Sequence, residues 1–346
     1  MTLMIWTGFQ VKGQIDTERI DSIVQNAATN SLFEGTVLIA DSGNVVYHKS
    51  LGFIDKEKIV PVQDSMSFGI ASITKMFTAI IILQLVEEDK IQLEDRLNVL
   101  LPDLKIKKSK KITIRHLLLH ISGLPNEDDK IYAQSKSPLE FITETMENKA
   151  NRLGHFNYAN IDYVLLGLII EKFDNTTWEG SVRNRILNKV SMHQTGFLAK
   201  AEYPSNFAYT CSYDEANVRT PDPAFHIENF YAAGCMYSTA KDLLKLDQAM
   251  YGDMLLSENS KQLMYTSYPE YNYSGYSVWT YNYPYAKAKP KIMERRGSIL
   301  GSNSVIIRFL ETNRTVIILS TNNKFNSDSF GDTKSLKEAL VIESRR

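Results

Sequence analysis

Three short stretches carry side chains that could do covalent chemistry. In residues 68–79, FGIASITKMFTA, Ser72 and Lys75 stand three apart, and the run from Met76 to Val86 behind them is broken only by Thr78 and Gln84. A helix that is apolar all round is a buried one, and residues three apart on it are neighbours. An uncompensated buried ammonium is costly. The pair is therefore either solvated at a helix end or placed for chemistry: a hydroxyl as nucleophile with an amine beside it as base. The partial positive charge of a helix N-terminus would help Lys75 give up its proton. In a second stretch, HFNYANIDYVLLGLII, Tyr158 and Asn160 stand two apart just before another apolar helix, where a phenol and an amide can point into one cleft. The third, ERRGSILGSNSVIIR, brings Arg295, Arg296, Gly297 and Ser298 into a β-rich segment, and a glycine on a strand lets another backbone come close.

Each signal is weak alone. Ser-x-x-Lys recurs at Ser238 and Lys241, where Ser238 or Thr239 reads as the N-cap of an amphipathic helix. Tyrosine occurs 18 times, so a tyrosine beside a motif carries little weight. His116 and His120 have the four-residue spacing of zinc-binding histidines on a helix, but no Glu follows the first and no third ligand is evident.

The elements that must position these residues follow from pattern. Residues 16–30 read as an amphipathic helix with Ile20, Ile23, Val24 and Ala27 on one face. Residues 36–40 and 45–48 flank Ser42-Gly43-Asn44 as a hairpin. Residues 90–260 read as mostly helices and loops. Beyond them the β signal returns in GYSVWTYNY, SNSVIIRFL and RTVIILSTN, with a turn at Glu311-Thr312-Asn313 and a closing helix over 333–343. The economical α+β fold joins both chain ends in one antiparallel sheet with flanking helices and inserts a mainly helical subdomain at roughly 90–260. A cleft between the two is a common place for an active site.

Composition narrows the function class. The 346 residues carry a formal net charge of −1, and the one basic run, Lys105 to Lys111, reads as a solvated loop, so a nucleic-acid partner is not expected. Cys211 and Cys235 are the only two cysteines; the sequence does not say whether they meet, and no Cys/His metal spacing exists. Residues 3–9 are apolar and are followed by Val11 and Gly13, which resembles the end of a secretory signal peptide whose basic start is missing. The expected organisation is a leader over 1–13 and one catalytic domain over 14–346, acting outside the cytoplasm, with no membrane span in the mature chain and no assigned oligomeric state.

Ser-x-x-Lys, then Tyr-x-Asn, then a basic residue and glycine on a late strand resembles, in that order, the serine β-lactamase and penicillin-binding-protein superfamily. The Tyr-x-Asn form is similar to its class C, D,D-peptidase and esterase branch. ITIRHLLLHISGLPN and AAGCMYSTAKDLLKL resemble the linking segments of that family, and the likeness covers roughly residues 20–322. The resemblance implies a cofactor-free serine hydrolase working through an acyl-enzyme on an ester or D-amino-acid peptide or amide. It implies Ser72 as nucleophile, Lys75 or Tyr158 as base, Asn160 orienting Lys75 and a substrate amide, and the backbone N–H groups of Ser72 and Ser298 as oxyanion donors. A β-lactamase or D,D-carboxypeptidase is the first alternative, a non-catalytic penicillin- or peptide-binding module the second. The sequence departs from the family at Arg295, where Lys or His is usual, and at Arg296, where a small hydroxyl residue is common. If the Gly297 face of the strand lines the cleft, alternation points Arg295 at the substrate, and Arg295 is expected to grip a substrate carboxylate.

Overall fold

The computed structural model describes residues 15–200 and 202–344. The expected leader over 1–13 lies outside them. At the start of the described chain, α1 (Thr17–Thr29) is capped by Asp16, whose carboxylate accepts from the Arg19 N–H at 3.0 Å. Strands β1 (Gly35–Asp41) and β2 (Asn44–Leu51) follow as a hairpin. Its turn is the two residues Ser42 and Gly43, both at positive φ (51° and 83°), which suits the right-handed twist of the flanking strands.

Four late strands complete the sheet: β3 (Trp279–Asn282), β4 (Lys291–Ile299), β5 (Ser302–Phe309) and β6 (Arg314–Ser320). The order is β2-β1-β6-β5-β4-β3, with every pairing between neighbours antiparallel, so the two chain ends meet where β1 pairs with β6. Alternation divides the side chains between two cores. Val37, Ile39, Val305, Ile307, Val316 and Ile318 pack on one face with α1 and the closing helix α6 (Leu336–Ser344). Leu38, Ala40, Ile306, Ile317 and Leu319 pack on the other with the middle of the chain.

The helices of that middle include α2 (Thr74–Glu87), α4 (Asn160–Asp174) and, between them in sequence, the short α3 (Ile114–Leu118). α2 is buried from Thr74 to Leu85, as its apolar run requires. Another helix, α5 (Ala240–Ala249), is capped by Thr239, not by Ser238, whose hydroxyl pairs with Thr195 at 2.7 Å. Both cysteines are buried and free. Lys105, Lys107, Lys108, Lys110 and Lys111 are exposed, as a solvated loop should be. Among the described residues no helix is long and apolar enough to cross a membrane.

Candidate active site

Ser72 sits in a one-turn 3-10 segment, Ala71–Ile73, that runs directly into α2. Ala71 holds φ at +43°, a strained value for a residue with a Cβ. This sharp entry leaves Ser72 half-buried while Lys75, one turn on, is fully buried. Three acceptors surround the Lys75 ammonium: Ser72 Oγ at 3.0 Å, Asn160 Oδ1 at 2.7 Å and the Ala233 carbonyl at 2.8 Å. Tyr158, in the loop before α4, donates its hydroxyl to the same Ser72 Oγ at 2.8 Å. The serine oxygen thus lies between the amine and the phenol.

Two neighbouring arginines on β4 take different roles. Arg295 is 1% exposed and spends its guanidinium inward: Nε donates to the Ser72 carbonyl at 2.8 Å, and Nη2 to the Tyr158 hydroxyl oxygen at 2.7 Å. The expectation that Arg295 points at the substrate therefore fails. Alternation holds, but the face is the opposite one. Arg295 and Gly297 face the turn that carries Ser72, while Arg296 and Ser298 line the cavity together with Ser72, Phe156, Tyr158, Trp279 and Asp328. Gly297 likewise serves the fold rather than a ligand. A Cβ there would lie 2.1 Å from the Ile70 carbonyl oxygen, so only glycine lets β4 press against residues 70–72. The β3–β4 ladder ends at the Trp279–Glu294 pair, before the Arg295–Ile299 part of β4 that borders the cavity.

The charges tune one another. Burial pulls the Lys75 ammonium down to about 8, with the Arg295 charge adding to the pull and Tyr158 opposing it. Burial pushes the Tyr158 phenol up, but the charges of Arg295 and Lys75 outweigh it and bring it down to about 8 as well. A base is therefore available near neutral pH from one coupled pair.

Several residues of this site were given no place in it by the sequence. Asn160 donates Nδ2 to Glu127 at 2.7 Å, and Tyr132 donates to the same carboxylate oxygen at 2.6 Å. Trp279 stacks on Tyr158 with ring centres 6.4 Å apart. His120 packs against Tyr158 at 4.3 Å and meets Asp162 at 3.0 Å through Nδ1, while Ser122 donates to Asp162 at 2.5 Å. Burial first, then Lys75 and Arg295, pushes the imidazole well below its usual range, and burial pushes the Asp162 carboxyl well above its own. Both shifts favour the uncharged forms, and the pair backs the Tyr158 ring. His116 turns elsewhere and closes the α3 capping box with Thr113. The two histidines have different partners, Thr113 and Asp162, and among the described residues no group of His, Cys, Asp and Glu is arranged to hold a metal ion. Glu127 sits in the polar cluster NEDD, where nothing in the sequence separates it from a solvated loop; Trp279 reads as an ordinary strand aromatic.

This geometry accompanies a wide similarity to known proteins. The chain is 27% identical to penicillin-binding protein 4* of Bacillus subtilis over 328 residues, covering 88% of this chain and 71% of that one. It is 26% identical to the teichoic acid D-alanine hydrolase of Staphylococcus aureus over 319 residues, covering 90% and 75%. The crystal structure of the D-amino acid amidase of Ochrobactrum anthropi superposes with a TM-score of 0.82 at 21% identity, over 95% of this chain and 97% of that one, which shows the fold. The Beta-lactamase family model matches residues 20–341, and the chain belongs to that family of serine hydrolases.

Proposed function

We propose that Ser72 is the nucleophile of a hydrolase whose substrates are D-amino-acid esters or amides. The observation that carries this reading is the double contact on Ser72 Oγ, from Lys75 Nζ at 3.0 Å and Tyr158 OH at 2.8 Å. In the proposed sequence the Ser72 proton passes to the Lys75–Tyr158 pair as Oγ attacks the substrate carbonyl. The backbone N–H groups of Ser72 and Ser298 hold the oxyanion, a contact worth about 3 kcal/mol in hydrolases of this chemistry. The pair then returns the proton to the leaving oxygen or nitrogen. Water then attacks the acyl carbonyl as its proton passes to the same pair, the bond to Oγ breaks, and the pair returns that proton to Ser72 Oγ as the acid leaves. Asn160 keeps Lys75 in line and Glu127 keeps Asn160 in line.

The D-configuration is supported by the names of two relatives, a teichoic acid D-alanine hydrolase and a D-amino acid amidase. The likeness to a penicillin-binding protein supports the second reading, a D,D-carboxypeptidase or β-lactamase. The proposal includes one catalytic domain, in keeping with a family match that spans 20–341. It also includes action outside the cytoplasm, in keeping with the apolar run at 3–9.

The test pairs a fluorophosphonate probe with a substrate panel. The label should map to the peptide containing Ser72, and Ser72→Ala should lose both label and turnover. D-alanyl esters and D-amino-acid amides should be cleaved faster than a chromogenic cephalosporin or a D-Ala-D-Ala peptide. Labelling at Ser238, or turnover that survives Ser72→Ala, overturns the assignment; preference for the cephalosporin or the dipeptide selects the second reading.

A further inference from the structure

The end of the β4–β5 pair remote from Ser298 borders a different cavity. Arg308 on β5 pairs with Met293 on β4, five residues from Ser298, which is about 17 Å at the rise of a strand. Alternation puts Lys291 on the Met293 side of β4, so Lys291 and Arg308 share a face. The helix Glu258–Tyr265 brings Lys261 and Tyr265 to the same space, whose volume of about 590 Å³ lies in the usual range of small-molecule sites. Arg308 is 5% exposed, yet it is loosely held. Its Nη atoms lie 3.4 and 3.5 Å from the Met250 carbonyl and 3.4 Å from the Tyr265 hydroxyl; only the contact to Asn313 Oδ1, at 3.1 Å, has ordinary length. Nε has no hydrogen bond among the described residues and stands 3.8 Å from Asp247 Oδ1, while Asp247 Oδ2 is taken by Tyr251 and Thr315. Lys261 is buried too, 2.9 Å from Glu258 and 3.7 Å from Asp253, carboxylates that are 69% and 76% exposed.

We infer that this cavity is a binding site for a phosphate monoester, distinct from the hydrolase site and independent of the reading above. A buried cation with few good hydrogen bonds is costly, and an anion seated against Arg308 offsets that cost. The Tyr251 ring lies 4.5 Å from the Arg308 Cζ and fixes the plane of the guanidinium before a ligand arrives. Three cations on three elements line the space, Lys261, Lys291 and Arg308, against one lining carboxylate, Glu258, which leaves a net charge of +2 in the wall. A phosphate monoester carries about −1.5 to −2 at neutral pH. A planar carboxylate is satisfied by one guanidinium fork, whereas the terminal oxygens of a phosphate point in different directions and suit cations arriving from β4, β5 and a helix. Burial pushes the Tyr265 phenol up to about 12, so its hydroxyl keeps a proton to donate. The remaining volume has room for the organic part of the ester.

Isothermal titration of the full chain at constant ionic strength tests this, with glycerol 3-phosphate, inorganic phosphate and acetate as probes. Both phosphates should bind saturably, one per chain, and more tightly than acetate. Arg308→Gln should weaken phosphate binding by about tenfold, the size of one hydrogen-bonded contact to a charged group. Lys291 is exposed, so Lys291→Glu keeps the fold; it should weaken phosphate binding severalfold and leave ester turnover at Ser72 unchanged. It carries the test alone if Arg308→Gln does not fold. Arg296→Gln, at the Ser72 cavity, should leave phosphate affinity as it is. Absence of saturable phosphate binding, acetate binding as tight as phosphate, or unchanged affinity in Lys291→Glu each overturns the proposal. A loss of affinity in Arg296→Gln also overturns it, by moving the ion to the Ser72 cavity. Labelling at Ser72 is a separate readout, so the hydrolase reading stands or falls by itself.

Discussion

At the scale of single residues, the chemistry depends on which cation faces which oxygen. Ser72, Lys75, Tyr158 and Asn160 were legible because short motifs fix their spacing on or beside helices, and the fold brings all four into contact. Arg295 was legible as an anomaly but not as a function. Strand alternation separates it from Arg296 without saying which face meets the cleft, and that choice depends on the Ser72 turn packing against Gly297. The buried guanidinium now has a calculable consequence. Its charge lowers both Lys75 and Tyr158, so removing it moves both upward. In the wild type, kcat/KM should rise with pH up to about 8 as the pair loses a proton. In Arg295→Met that acid limb should lie higher by roughly one pH unit, a usual size for loss of one adjacent charge. Arg295→Lys should fall between the two. A pH–rate profile in which Arg295→Met lowers the plateau and leaves the limb in place would make Arg295 a brace for the Ser72 carbonyl alone.

At the scale of elements, the site is a junction between one strand and one turn. The turn before α2 brings Ser72 and β4 brings Ser298, and turn and strand meet because Gly297 has no side chain. An alanine Cβ there would sit 2.1 Å from the Ile70 oxygen and 3.2 Å from the Ser72 nitrogen. Both contacts are with backbone, so neither can yield by rotating a side chain. Gly297→Ala should therefore force β4 away from residues 70–72. The expected cost is about 1–3 kcal/mol of stability, as for overpacking elsewhere. Turnover should fall by at least about a hundredfold, because small displacements of a reacting group carry that penalty. Chemical denaturation and ester hydrolysis measure the two effects. A variant that loses stability but keeps its turnover would show that the Ser72–Ser298 spacing is not what the glycine protects. The helix and hairpin limits were readable to within a few residues, since caps and turn residues mark them: Asp16, Ser42-Gly43, Thr239. Backing residues such as His120, Asp162 and Glu127 were not, because a polar side chain in a loop or on a first helical turn looks the same whether it supports a tyrosine or meets water.

At the scale of the whole molecule, the antiparallel sheet closes the chain on itself, and its last helix reaches back to the strand that carries the site. That both ends share one sheet followed from β signals at the two ends with helices between. The β2-β1-β6-β5-β4-β3 order did not follow, because hydrophobic alternation fixes a face and not a neighbour. Nor was there a sign that α6 would carry buried charge. Lys337 and Glu294 are each 1% exposed and 3.1 Å apart, and Glu338, on the same helix, takes the Tyr283 hydroxyl. Burial pushes the Glu294 carboxyl up, yet Arg296 and Lys337 outweigh it and hold it below the usual carboxylate range. A depressed carboxyl contributes stability that is present above its unfolded pKa and lost as the pH falls through the folded value. Lys337→Met keeps most of the side-chain volume and removes the charge. It should cost about 1–3 kcal/mol at pH 7, less than the penalty for a buried charge left wholly unpaired, because Arg296 and Tyr281 still hold Glu294. Without Lys337 the Glu294 carboxyl rises, so the variant takes up a proton at a higher pH than the wild type does. The stability gap should then narrow as the pH is lowered from 7 towards the carboxylate range. Urea titrations at several pH values, with the slope unchanged and only the midpoint moving, would show this. A gap that stays constant with pH would mean that Lys337 acts through packing of its stem, and the ionic tie between α6 and the catalytic strand would have to be given up.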